Sequence, residues 1–199
     1  GKKGIIGINE GLKESYEITA KVLDLKDSPA CKEKNLCAFD NYNTQLILEK
    51  GDEPRMKGSL KDATTCSDAL ILQFYEEPDA KKAAFGHDIT LDDWTKISKI
   101  KDVYGDVLFT APVVSVNVAH PLLVYMRDEL MDKDRKLAFL CGHDSNIASV
   151  TAALEVEPYD LPNSIEKKTP IGCKLVIEKF EGKDGKMYCD INLTYQSTD

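Results

Sequence analysis

One short run constrains the fold of this chain more than any other. Lys136-Leu137-Ala138-Phe139-Leu140-Cys141 is apolar at every position after the lysine, with charge before it and Gly142 after it. A strand presents successive side chains to opposite faces, so a run apolar on both faces reads as a strand inside a sheet covered on both sides. Such a strand takes parallel neighbours, normally delivered by strand-helix-strand units. Nothing upstream of residue 137 reads as one. The chain is therefore expected to carry one end of an α/β domain without its beginning.

Gly142-His143-Asp144-Ser145-Asn146 follows directly. It stands at the carboxyl end of the expected strand and before a helix with Ile147, Val150, Thr151 and Leu154 on one face, capped by Ser145 or Asn146. Open α/β sheets bind ligands at that edge. Helix N–H groups and the helix dipole favour an anion there. His143 can hydrogen-bond a phosphate oxygen, and Asp144 can deliver a proton to a leaving alkoxide. To act as an acid near pH ~5, Asp144 needs its pKa raised above the usual ~4. The residues alone leave a second reading open, in which both are capping and loop hydrogen bonders.

The rest of the chain is read more coarsely. Gly1 to Gly11 carries few helix-face signals. A helix is expected from Leu12, with Tyr16, Ile18, Val22 and Leu23, ending before Asp27-Ser28-Pro29. Residues 28–58 are irregular, with a short strand near Gln45–Leu48, and a loop of that length is usually functional. Thr65-Cys66-Ser67-Asp68 has capping-box character ahead of Leu70, Ile71, Phe74 and Tyr75, and this helix stops at Glu77-Pro78. Thr90 opens a helix holding Trp94, Ile97 and Ile100. Pro112 opens another, with Val113, Val116, His120, Leu123 and Leu130 near one stripe and Pro121 as a kink or a displaced start. Lys174–Phe180 and Lys186–Leu193 flank a glycine-bearing turn and read as a hairpin in a larger sheet.

Composition excludes several classes. The chain holds 26 basic and 34 acidic residues, a formal charge of −8, with no basic block. Nucleic acid and anionic membranes are thereby poor partners. No apolar run reaches 18 residues and the start is not signal-like, so neither a membrane span nor a precursor is expected. Cys31 and Cys37 lie six residues apart in a polar loop. They make poor metal ligands without a second Cys/His pair at finger spacing. The spacing leaves a local bridge and free thiols both open. Cys66, Cys141, Cys173 and Cys189 sit among apolar neighbours and read as small buried hydrophobes.

The segment Phe139–Leu154, FLCGHDSNIASVTAAL, resembles the His-Asp motif of the histidine acid phosphatases. The resemblance continues through SPACKEK at Ser28–Lys34, EPRMKGSLK at Glu53–Lys61 and SDALILQFYE at Ser67–Glu76. It includes DDWTKISKIKDVYGDVLFTAP at Asp92–Pro112, KTPIGCKLVIEKF at Lys168–Phe180 and the closing LTYQS. These ordered matches are similar to the bacterial glucose-1-phosphatase branch and run over about 85% of the chain.

The resemblance implies an α/β fold: the C-terminal part of a histidine-phosphatase-type sheet domain with a mostly helical inserted domain. Residues 1–132 would be the helical part with its connections, and 133–199 the strands and helix carrying the His-Asp motif. Asp144 would be the proton donor, His143 would bind phosphate and Asn146 would support the loop. Glu53 would lie at the substrate pocket, accepting sugar hydroxyls and repelling highly phosphorylated substrates. Cys31 and Cys37 would form the family's short disulfide loop, implying a periplasmic or secreted protein. The family phosphorylates its own histidine and hydrolyses the adduct with water. It needs no cofactor and no metal.

One departure matters. The family's nucleophile lies in an Arg-His-Gly-x-Arg-x-Pro motif that these residues lack. The histidines are His87, His120 and His143, the arginines Arg55, Arg127 and Arg135, and no histidine follows an arginine. His87 reads as a loop hydrogen bonder and His120 as a core or capping residue. The chain is thus expected to be a fragment of an acid phosphomonoesterase, inactive alone, completed by the missing N-terminal part or self-associating as a homodimer. The alternative is a non-catalytic sugar-phosphate-binding module. A helical interaction protein with an incidental His-Asp leaves the colinear resemblance unexplained.

Overall fold

A computed structural model describes residues 3–41, 43–52 and 54–198. It comprises two compact units: residues up to Leu108 with Ile165–Lys167, and Phe109–Ser164 with the residues from Lys168 on.

The first unit is helical. It contains α1 (Gly4–Gly11), α2 (Lys13–Val22), α3 (Pro29–Lys34), the ribbon β1 (Gln45–Ile47) and β2 (Arg55–Lys57), α4 (Ser59–Glu76), α5 (Ala80–Ala83) and α6 (Leu91–Gly105). The weak helix signals before Leu12 nevertheless yield α1, which buries Asn9 completely. Its side-chain oxygen accepts from the Tyr16 hydroxyl at 2.8 Å and the Thr44 hydroxyl at 3.3 Å, and its amide donates to the Ile5 carbonyl at 3.1 Å. A buried amide partnered at both ends offsets its desolvation and ties α1, α2 and the following loop together.

Helix α4 begins six residues before the expected Thr65 start. Its first N–H groups are satisfied from a distance: Ser59 N–H donates to Asn43 Oδ1 at 2.9 Å, and Leu60 N–H to Thr44 Oγ1 at 3.0 Å. Local capping rules look for the acceptor next to the helix, and here it lies fifteen or more residues earlier. Gly58 makes the approach feasible. Its φ is +86°, and a Cβ there would meet the Asn43 carbonyl oxygen at 2.5 Å. The helix ends at Glu76 before Pro78, as the sequence indicates.

Helix α6 opens with the full capping box, the Thr90 hydroxyl accepting from Asp93 N–H and the Asp93 carboxylate from Thr90 N–H. The Thr90 backbone N–H, then its hydroxyl, hold the Asp93 carboxyl below the usual carboxylate range, so this cap survives mild acid. Trp94, Ile97 and Ile100 are buried, and α6 packs on α4, where Leu70 and Ile71 are buried too. Trp94 lies 4.9 Å from the Phe74 ring, and the Ser67 hydroxyl donates to the Ile97 carbonyl at 2.7 Å.

Ile165–Lys167 closes the unit. Ser98 Oγ donates to the Ile165 carbonyl at 2.5 Å, and Lys101 Nζ meets Glu166 Oε1 at 2.6 Å. Glu166 is 1% exposed and Lys101 13%. Removing one member of such a pair strands a buried charge, whereas replacing both with apolar groups is far less harmful. Lys101→Met is expected to lower stability by about 3 kcal/mol or more. Lys101→Met with Glu166→Leu is expected to recover most of that loss. Urea denaturation midpoints check it, and a double variant no more stable than the single one contradicts it.

The second unit holds α7 (Pro112–Met131), α8 (Asp144–Ala153), β3 (Lys174–Glu181) and β4 (Met187–Thr194). A π turn, Asp106–Thr110, precedes α7. Helix α7 runs unbroken through Pro121. Its buried positions are Ser115 and Ala119, not the expected apolar stripe, of which Val113, Val116 and His120 are exposed. α7 packs on α8, whose buried residues Ser149 and Val150 match small side chains that permit close approach.

The expected buried strand at 136–141 does not form within this chain. These residues carry no strand or helix, and Leu137 is 83% exposed and Phe139 78%. The physical reason is the one inherent in the pattern: a strand apolar on both faces needs neighbours, and the second unit supplies none. The C-terminal hairpin does form, in the register Lys174↔Thr194 to Glu181↔Met187, but as a two-stranded sheet rather than within a larger one. In place of an α/β sheet, the described residues are thus mostly helical with two small antiparallel ribbons.

Candidate active-site loop

The candidate site is the start of α8. His143 is its N-cap, with extended backbone at φ −118° and ψ 166°. His143 N–H donates to Asn146 Oδ1 at 2.8 Å, and the His143 carbonyl accepts from Asn146 N–H at 3.0 Å. Asn146 thus holds the capping residue from the third helical position, with an amide where a capping box usually has Glu or Gln. The arrangement also depends on Gly142, where a Cβ would meet Asn146 Oδ1 at 2.8 Å. The motif includes Gly142, but its sequence alone assigns that glycine no role beyond bounding the apolar run. Its position between an apolar run and an N-cap was the available signal.

Asp144 occupies the first turn, and its Oδ1 accepts from Ser145 N–H at 2.7 Å. Below it, Ser149 donates to the Ser145 carbonyl at 2.7 Å and anchors the turn on the buried side. His143 and Asp144 are both exposed. Adjacent in sequence at a helix start, they bring an imidazole and a carboxyl to the positive end of the dipole. That combination suits binding an anion and passing a proton to it. A concavity of about 450 Å³ in the second unit is lined by Asp132, Asp134, Arg135, Lys136 and Leu137 and includes neither residue.

Of the other sequence-derived site residues, Glu53 falls outside the described residues. Arg55 pairs with Glu49 at 2.8 Å and Asp52 at 3.1 Å, bracing the exposed β1–β2 ribbon. Cys31 and Cys37 are disulfide-bonded around α3, whose N-cap Ser28 accepts from Cys31 N–H. Cys66, Cys141, Cys173 and Cys189 form no disulfide. The expectation that they are buried fails: Cys141 and Cys189 are exposed and the other two half-buried. His87 Nε2 sits 3.2 Å from Asp24 Oδ1, so its partner is distant in the sequence and not the local one expected. His120, expected as a core or capping residue, is exposed in the middle of α7. Among the described residues no group of three or more His, Cys, Asp or Glu can hold a metal ion, and no single helix is long and apolar enough to cross a membrane.

Among solved structures, the fold matches half of a histidine acid phosphatase of the phytase kind. Hafnia alvei phytase superposes with a TM-score of 0.82 at 26% identity, over 96% of this chain and 49% of that one. Citrobacter braakii phytase gives 0.83 at 22% identity, over 96% and 50%. By sequence, the chain is homologous to glucose-1-phosphatase. It is 39% identical to the Providencia rettgeri enzyme over 193 residues, 94% of this chain and 46% of that protein. The Salmonella typhimurium glucose-1-phosphatase is 38% identical with the same coverage. The chain spans about half the length of the relatives it matches. No family model matches it.

The geometry predicts a specific local effect. Asn146→Ala removes the acceptor of His143 N–H and is expected to weaken the first turn of α8 by about 1 kcal/mol. Amide exchange at His143 should then quicken about fivefold, with the centre of α8 unchanged. Equal exchange in variant and parent contradicts the capping role.

Proposed function

We propose that this chain is part of an extracytoplasmic acid phosphomonoesterase of the glucose-1-phosphatase kind, and that it supplies the proton donor and part of the phosphate pocket. The observation that carries the reading is colinear homology to glucose-1-phosphatase over 94% of the chain, with Gly142–Asn146 at a helix start exposed for an anion. The Cys31–Cys37 bridge supports an oxidising compartment.

In the intact protein, a histidine outside these residues attacks phosphorus. A P–N bond forms as the ester P–O bond breaks, and the departing alkoxide takes the proton of the Asp144 carboxyl. Water then attacks the phosphohistidine and gives a proton back to the Asp144 carboxylate. The P–N bond breaks, and inorganic phosphate leaves. His143 donates a hydrogen bond to a phosphate oxygen, and the α8 N-terminus favours the dianion. Glu53, a carboxylate beside the pocket, accepts sugar hydroxyls and disfavours substrates with many phosphates. The domain division at 132/133 belongs to the same reading, with the helical part inserted into the sheet domain.

A second reading, a sugar-phosphate-binding module, draws on one fact: no histidine of this chain follows an arginine. The discriminating experiment is phosphate release near pH ~5 with EDTA, from the chain alone and from the intact protein. The chain alone should be inactive. Asp144→Asn in the intact protein should cut turnover of glucose-1-phosphate by ~10²–10⁴. With p-nitrophenyl phosphate the phenolate leaves without a proton, so the variant should keep a rapid first burst of nitrophenol even though hydrolysis of the shared phosphohistidine is slowed for both esters. A nitrophenol burst slowed as much as the release of glucose contradicts the acid role, and an inactive intact protein favours the binding module.

A further inference from the structure

We propose that one face of the β3–β4 hairpin is a docking site for an arginine-bearing segment of a partner protein, with the guanidinium lying on the Phe180 and Tyr188 rings and its N–H groups on the Glu178 and Asp190 carboxylates. This goes beyond the phosphatase reading and uses none of the residues assigned to it. Phe180 pairs with Tyr188 across the strands, and Glu178 pairs with Asp190 two residues further along, on the same face. The two rings are stacked, with centroids 5.8 Å apart and planes 20° from parallel, and they remain 49% and 45% exposed. Their arrangement is held in place. The Tyr188 hydroxyl donates to Asp184 Oδ2 at 2.9 Å. Gly182 lets the Tyr188 ring lie over the turn, since a Cβ there would meet Tyr188 Cε2 at 2.5 Å. The Lys186 backbone N–H, then the Tyr188 hydroxyl, hold the Asp184 carboxyl below the usual carboxylate range, so this clamp persists in mild acid.

The carboxylates define the occupant. Like charges directly opposite one another weaken a sheet. Glu178 and Asp190 are both exposed, and among the described residues neither has an ion-pair partner. A cation between them turns the repulsion into attraction, whereas an apolar cover would strand two charges. The opposite face of the hairpin differs, because Leu175, Ile177 and Leu193 are half-buried there. An ammonium answers the charge alone. A guanidinium also stacks on aromatic faces and bonds a carboxylate through two parallel N–H groups. Two residues along a strand span about 7 Å, so one arginine lying across the rings reaches the carboxylates.

The test titrates the isotope-labelled intact protein with the peptide acetyl-Gly-Arg-Gly-Arg-Gly-amide at neutral pH and low salt, and follows the amide resonances. Shifts centred on Glu178, Phe180, Tyr188 and Asp190 are expected, fading as salt is added. Glu178→Gln combined with Asp190→Asn should weaken binding about tenfold or more. That double variant should be at least as resistant to urea as the parent, because the repelling pair is gone, so its loss of binding is not a loss of folding. Phe180→Ala should weaken binding about threefold or more with both carboxylates in place. Glu181→Gln removes a carboxylate from the opposite face and should leave binding unchanged. The same peptide with lysine in place of arginine should bind more weakly. No shifts at these four residues, equal binding by the double variant, or shifts caused by maltotriose and not by the peptide overturn the proposal.

Discussion

Residues 137–141 lead directly into His143 and Asp144, so the candidate site is only as well placed as that segment. A run apolar on both faces has one stable environment, the interior of a sheet, where backbone groups pair and both rows of side chains leave water. In this chain it has no such environment, and its largest side chains face solvent. The start of α8 is nevertheless well formed, because Asn146, Gly142 and the buried Ser149–Val150 pair hold it locally. The result is a helix start that carries an exposed imidazole and an exposed carboxyl at its positive end.

Local signals were legible where the determinant was local. The Thr90 capping box, the buried Trp94–Ile97–Ile100 face, the stop before Pro78 and the C-terminal hairpin all follow from residues within a few positions of one another. Misreadings arose where the partner was distant. Helix α4 starts at Ser59 because Asn43 and Thr44 reach its N–H groups across the intervening ribbon. Helix α7 packs on α8 and buries Ser115 and Ala119, small residues beside the apolar stripe that an apolar count picks out. Glu166 is buried because Lys101 awaits it 65 residues away, which no periodicity reveals.

The site divides in the same way. The motif Gly142–Asn146 and its place at a helix start were readable, since capping and strand-end geometry are local. The exposure of 137–141 accords with the lack of strand-helix-strand units before it, and the chain spans about half the length of the glucose-1-phosphatase and phytase relatives it matches. Composition contributes little here beyond the acidic balance. In a chain of net charge −8 a positive field has to be local, and a helix N-terminus provides one.

The most direct measurement is amide hydrogen exchange of residues 138–141, compared between this chain alone and the same residues within the intact protein. The account predicts exchange near unstructured rates in the isolated chain, and protection by about three orders of magnitude or more in the intact protein, as for a paired central strand. Strong protection in the isolated chain, or none in either, contradicts it.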